Sequence, residues 1–223
     1  MKNNANAIGF AALVVASIAA VSSSAAVITT PTIIYDNSST PLNKFFQING
    51  EAGDQVTPPG GGWKLDTLSF EYFASGLSGN EVAKFRIYAN DGLPLSANSA
   101  TARPNSLVYE SPSFTPANGN FPITITDLRP ANILLPASFT WTVSVTGVAG
   151  DEKFGLKLYD PPTVGQSFDD IWVKSGTEWT LQQIPGTVAN FGAQFIAVPE
   201  PGALTLFGLG GLALVLRRRT GTR

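Results

Sequence analysis

The chain has 223 residues, a formal net charge of −2 and only 13% charged side chains. It contains neither cysteine nor histidine, which removes disulfides, thiolate zinc sites, cysteine nucleophiles, Ser-His-Asp triads and imidazole proton shuttles. Between two apolar ends lie about 170 residues, enough for one domain with a sizeable core.

Residues 1–26 read as a secretory signal peptide. Lys2 supplies the positive start, 8–21 form an apolar run whose only polar residue is Ser17, and Ser22, Ser23, Ser24, Ala25 and Ala26 offer small residues for cleavage. An uncleaved membrane anchor is the rival reading. Residues 27–198 then form the exported domain. It holds fifteen acidic and nine basic side chains, a net charge of −6, which argues against a nucleic-acid partner.

Within that domain, short runs of β-branched and aromatic residues alternate with Gly, Pro, Asn and Asp. The pattern predicts strands near 27–35, 43–49, 65–74, 82–89, 107–114, 121–128, 139–146, 154–159, 171–174, 178–182 and 191–198. Leu68, Phe70 and Tyr72 share a face, as do Phe85, Ile87 and Ala89, with Lys84, Arg86 and Tyr88 opposite. Such period-two alternation marks sheets with one face buried and one wet. Asn90-Asp91-Gly92 signals a turn, Lys174 to Thr177 a hairpin, and Arg129 to Pro136 a connection between sheets. Eleven short strands with little helix indicate an all-β fold, an antiparallel two-sheet β-sandwich of jelly-roll type. An immunoglobulin-like sandwich is the alternative.

Chemistry is sparse. Asp169-Asp170 is the adjacent Asp pair, and with Asp160 or Asp36 nearby it could hold a structural Ca²⁺ through carboxylate oxygens; a solvated turn is the plainer reading. Trp141, in phase with Val143 and Val145, belongs to the core. Trp172 and Trp179 flank a hairpin and Tyr88 shares a face with charged residues, so these three rings could form a glycan-stacking platform. A hydrolase would need two carboxylates about 5–10 Å apart across a cleft. Glu71, Glu110 and the Asp151-Glu152 turn offer carboxylates, but no spacing selects a pair. The expected order is therefore a non-enzymatic exported surface or matrix protein, then a carbohydrate-binding module with or without calcium, then a glycan-active hydrolase.

The C-terminus is the most specific segment. Pro199, Glu200 and Pro201 precede an uncharged apolar run over 203–216, which ends in Arg217, Arg218 and Arg219. As a helix over 201–216 it would reach roughly 24 Å, short against a hydrocarbon core of about 30 Å. The arginines keep the tip cytoplasmic and leave the bulk of the chain outside. A short segment broken by Gly208, Gly210 and Gly211 suits transient attachment better than permanent anchoring. The alternative is a buried core helix.

In its order of triplet, apolar stretch and arginine cluster, this tail (199–223) resembles the PEP-CTERM sorting signal of bacterial envelope proteins. Tails of this kind are also called ice-binding protein C-terminal segments, a label that implies no ice binding here. The resemblance implies processing at or near Pro199-Glu200-Pro201 by an exosortase, an integral-membrane cysteine protease, and a host that makes extracellular polysaccharide. It implies an exported protein held for a time in the cytoplasmic membrane and then associated with the envelope or exopolysaccharide. The run Leu135-Pro136-Ala137-Ser138-Phe139-Thr140-Trp141 loosely resembles a strand of other sandwich domains with such tails.

Overall fold

The computed structural model describes residues 30–96, 101–186 and 190–200. The expected signal peptide, the expected transmembrane helix over 201–216 with Pro201, and Arg217, Arg218 and Arg219 lie outside the described residues.

Fifteen strands follow in chain order: β1 (Thr32–Asp36), β2 (Pro41–Gln47), β3 (Gly50–Thr57), β4 (Trp63–Ser75), β5 (Val82–Ala89), β6 (Leu107–Glu110), β7 (Gly119–Ile125), β8 (Leu134–Leu135), β9 (Phe139–Thr146), β10 (Lys153–Tyr159), β11 (Gln166–Ser167), β12 (Ile171–Ser175), β13 (Glu178–Gln182), β14 (Asn190–Phe191) and β15 (Ala193–Pro199). One 3₁₀ turn, Arg129–Ala131, leads into β8. An eight-stranded sheet runs β1-β15-β4-β10-β14, with β2 on β10 and β7 and β8 on β4. A seven-stranded sheet runs β13-β12-β3-β9-β5-β6, with β11 on β3. Both are antiparallel throughout. The all-β, two-sheet expectation is met.

The sheets meet through large rings. Phe70 of β4 stacks on Phe85 of β5 at 5.6 Å between centroids, and Phe85 stacks on Trp141 of β9 at 5.9 Å. Phe191 and Phe195 press edge-on and tilted against Trp141 from the other sheet. All of these side chains are buried. The alternation read from the sequence sends Phe191, Ala193, Phe195 and Ala197 inward together. In β4 the register slips opposite Ile196 and Ala197; this bulge lets both Leu65 and Leu68 face the core, since one extra residue resets the alternation.

Strand β3 has no counterpart in the sequence reading. Its residues, Gly-Glu-Ala-Gly-Asp-Gln-Val-Thr, carry little β propensity, yet β3 lies between β12 and β9 near the middle of its sheet. Gly53 explains part of this. A Cβ there would lie 1.9 Å from the Trp141 carbonyl oxygen, so only glycine permits the close approach of β3 to β9.

The core side of β3 also carries a carboxylate, Asp54, which is fully buried. Ser167 Oγ donates to its Oδ1 (2.8 Å) and the Phe191 amide donates to its Oδ2 (3.2 Å). Burial, with the charge of Asp170, pushes this carboxyl well above its ordinary value despite those donors. A raised folded-state value favours the protonated form. The contribution to stability is therefore full at acid pH and is lost as pH rises through the carboxylate range towards that raised value. Asp54→Asn removes the titration. Ser167 Oγ also lies 2.9 Å from the Gln55 carbonyl, so it can donate there and accept from the new amide. The variant is expected to melt several degrees above wild type at pH 8 and to lose that advantage near pH 4; melting curves across that range check it, and a lower midpoint at pH 8 contradicts it.

Candidate functional site

The outer face of the seven-stranded sheet is built in cross-strand rows. Lys84, Ser144, Glu51, Lys174 and Trp179 occupy successive register positions across β5, β9, β3, β12 and β13. The next row runs Glu110, Arg86, Thr142, Gly53, Trp172 and Leu181. Side chains within one row, and those diagonal to them, are close enough to interact.

Glu51 is the hub. It is 7% exposed and takes donors from three sides: Thr142 Oγ1 at 2.6 Å, Tyr88 Oη at 3.0 Å and an Arg86 guanidinium nitrogen at 3.0 Å. Lys174 Nζ stands 3.8 Å away. Arg86 turns its other edge to Glu110 (2.7 Å), which also pairs with Lys84 (2.6 Å). Burial, then the Glu51 charge, pushes the Tyr88 phenol well above its usual range, so Tyr88 remains a neutral donor. Beside this network a recess of about 280 Å³ opens between Gly50, Glu51, Arg86, Ser144, Lys174 and Gly176. Its walls present carboxylate, guanidinium, ammonium and hydroxyl groups, a set suited to hydroxyl-rich or charged ligands.

The three rings expected to form an open stacking platform are brought together but closed. Tyr88 meets Trp179 edge-on at 5.4 Å, and Trp179 meets Trp172 edge-on at 6.5 Å. Trp172 is fully buried, Tyr88 6% and Trp179 7% exposed. Leu95 and Leu181 pack against them, and the Lys174 ammonium lies 5.3 Å from the Tyr88 ring and 5.1 Å from the Trp179 ring. The expectation of free ring faces at Tyr88, Trp172 and Trp179 is corrected on that ground. A small second core on the outside of the sheet covers apolar area that water would otherwise meet. Residues missed by the sequence reading, Glu51 and Thr142 above all, hold the centre. Glu51 lies on the unforeseen strand, so no alternation marked it.

Asp169 and Asp170 lie in the loop between β11 and β12. Asp160 does approach: burial and then the Asp169 charge push it upward, and burial with Asp169 does the same to Asp170. Asp36 is engaged elsewhere, accepting from Ser38 and from the Gln194 amide. Among the described residues no group of three or more acidic side chains is arranged to hold a metal ion. Glu71 accepts from Tyr159 at 2.5 Å in the eight-stranded sheet, whereas Glu110 belongs to the ion-pair row of the other sheet.

The sorting triplet is joined to the fold without a linker. Val198 is 7% exposed, Pro199 pairs in register with Trp63, and the Glu200 amide donates to the Gly62 carbonyl at 2.6 Å. Trp63 Nε1 donates to the Pro59 carbonyl (2.9 Å) and fixes the receiving loop. Thr32 of β1 lies opposite Ala197, so both ends of the described domain emerge on one edge. The recess lies towards the other end of the sheet. Glu51 to Thr57 is six strand steps, about 20 Å at about 3.3 Å each.

The protein is thus a two-sheet β-domain that runs directly into a C-terminal sorting signal. Residues 197–219 match the family model of the PEP-CTERM protein-sorting motif, and the chain carries that motif as its tail. No curated protein and no solved structure matches the chain. The motif supports an exported protein sorted by an exosortase. Among the described residues no helix is long and apolar enough to cross a membrane.

Removing the hub carboxylate leaves Arg86 and Lys174 facing each other with no anion between them. Glu51→Ala is expected to cost about 2–3 kcal/mol, and a cycle with Arg86→Ala to show about 1 kcal/mol or more of coupling. Urea denaturation of the four proteins measures both; additive losses contradict the network.

Proposed function

We propose that the chain is a non-enzymatic exported surface protein that an exosortase processes at its tail and that contacts envelope glycan or exopolysaccharide through the outer face of the seven-stranded sheet. The observation that carries this reading is the sorting motif, which supports export of the domain and its membrane-associated sorting. The recess around Glu51, Arg86 and Lys174 supports the glycan part, since its hydroxyl and charged groups suit sugar hydroxyls and carboxylates. The jelly-roll winding of the sandwich belongs to this proposal as well.

A hydrolase reading has less support. The carboxylates nearest the recess, Glu51 and Glu110, are both engaged by cations. A catalytic acid needs a proton near neutral pH and a catalytic base a free lone pair. A stacking lectin is less favoured too, because the ring faces it needs are covered.

The test is a sedimentation assay of the full chain in detergent with acidic and neutral exopolysaccharide. The wild type is expected to co-sediment, and Lys174→Ala, which removes the recess cation with the greatest exposure, to bind at least about fivefold more weakly, as loss of one charge-assisted contact implies. Absence of co-sedimentation with every polysaccharide tried, or identical binding by the variant, would sink the glycan assignment.

A further inference from the structure

Seven large apolar side chains of the described residues are exposed: Ile33, Val82, Leu93, Leu107, Phe121, Leu134 and Phe168. Four of them lie in the half of the domain where the triplet leaves. Ile33 pairs with Ile196 three residues before Pro199. Leu134 pairs with Lys64 beside Trp63. Leu107 pairs with Tyr88 at the end of β5. Phe168 follows Ser167, whose partner Val56 is next to the end of β3. The five-residue link from Thr57 to Trp63 places these strand ends of both sheets together. Val82 and Phe121 lie at the other end, and Leu93 stands beside Thr177, Glu178 and Trp179 at the β12–β13 turn.

Chain length gives the same end a second meaning. Glu200 is fixed to Gly62, and the apolar run starts at Ala203. Three residues span at most about 11 Å at about 3.6 Å each. When the tail is inserted, this end of the domain cannot stand further than that from the lipid surface. An apolar side chain that reaches the interface gains by leaving water, at about 25 cal/mol per Å².

We propose that the tail-bearing end of the sandwich is a membrane-contact face, in which Leu134 and Phe168 touch the lipid surface while the tail is inserted. Asp169 and Asp170 follow Phe168 directly, so the contact is apolar and owes nothing to attraction by anionic headgroups. The inference rests on the sorting reading and deepens it. The tail alone would let the domain swing, whereas this face sets its orientation. The Glu51 recess then points away from the lipid.

The chain has no cysteine, so single cysteines report position without background. Full-length chains carrying Leu134→Cys or Phe168→Cys, and Gly176→Cys or Asp151→Cys for the far end, are labelled with a fluorophore. They are then reconstituted in phosphatidylethanolamine vesicles that contain a lipid-borne quencher. Quenching at the first two positions is expected to exceed that at the last two several-fold. Introducing Phe168→Ser is expected to reduce quenching at Leu134→Cys. Membrane association with equal quenching at both ends overturns the face while leaving the sorting reading intact. Failure of the full chain to associate with the vesicles at all removes both.

Discussion

Strand β15 is the element on which the rest depends. It lies between β1 and β4, sends Ala193, Phe195 and Ala197 into the core, and ends on the first residues of the sorting motif. One segment therefore has to satisfy two demands. Its inward side chains must fill the space against Trp141 and Phe139, and its end must lead into the sorting motif. Antiparallel pairing reconciles them, because the strand is held by both neighbours up to Ala197 and by β4 alone through Val198 and Pro199. Proline suits that position, since it has no amide to donate and weakens the last rung. The chain order adds a further consequence. The partners of β15 come from both β1 and β4, so the sheet is complete only when residues from both termini of the domain have been exported.

The domain is polar in the geometric sense. At one end are the exits of both termini, the Pro58–Gly62 loop and most of the exposed apolar side chains. Towards the other is the recess held open by Glu51 and its donors. Charged groups on that face are paired to one another, and the aromatic side chains lie under lysine and leucine. A sheet face built this way resists aggregation through edge or face contacts while keeping hydrogen-bonding groups available at the recess. The absence of disulfides in an exported chain places the load on the ring-stacked core instead.

Much of the fold was legible from periodicity. The strands with β-branched or aromatic alternation, 82–89, 139–146 and 178–182, appear with the bounds expected. What escaped was β3, whose inward residues are Ala52, Asp54 and Val56 and whose outward residues are Glu51, Gly53 and Gln55, all but Thr57 and Gly50 at its ends being buried. A hydrophobicity pattern cannot reveal a strand whose burial is polar. Its partners, Arg86, Thr142, Ser167 and Phe191, lie between 35 and 137 residues away in sequence. For the same reason the sequence pointed to Tyr88, Trp172 and Trp179 as a group but not to their state: alternation gives the face, while the cover comes from Leu95 and Lys174. The tail was legible because its signal is local and compositional.

The continuity of fold and sorting signal is open to a direct measurement, native-state amide hydrogen exchange at Glu200 in the full chain. A bond to the Gly62 carbonyl slows exchange at least about tenfold relative to an unstructured peptide of the same sequence, with Gln194 slower still in the body of the strand. Exchange of Glu200 at the free-peptide rate would mean that the sheet ends before the triplet and that the domain hangs from a loose tether.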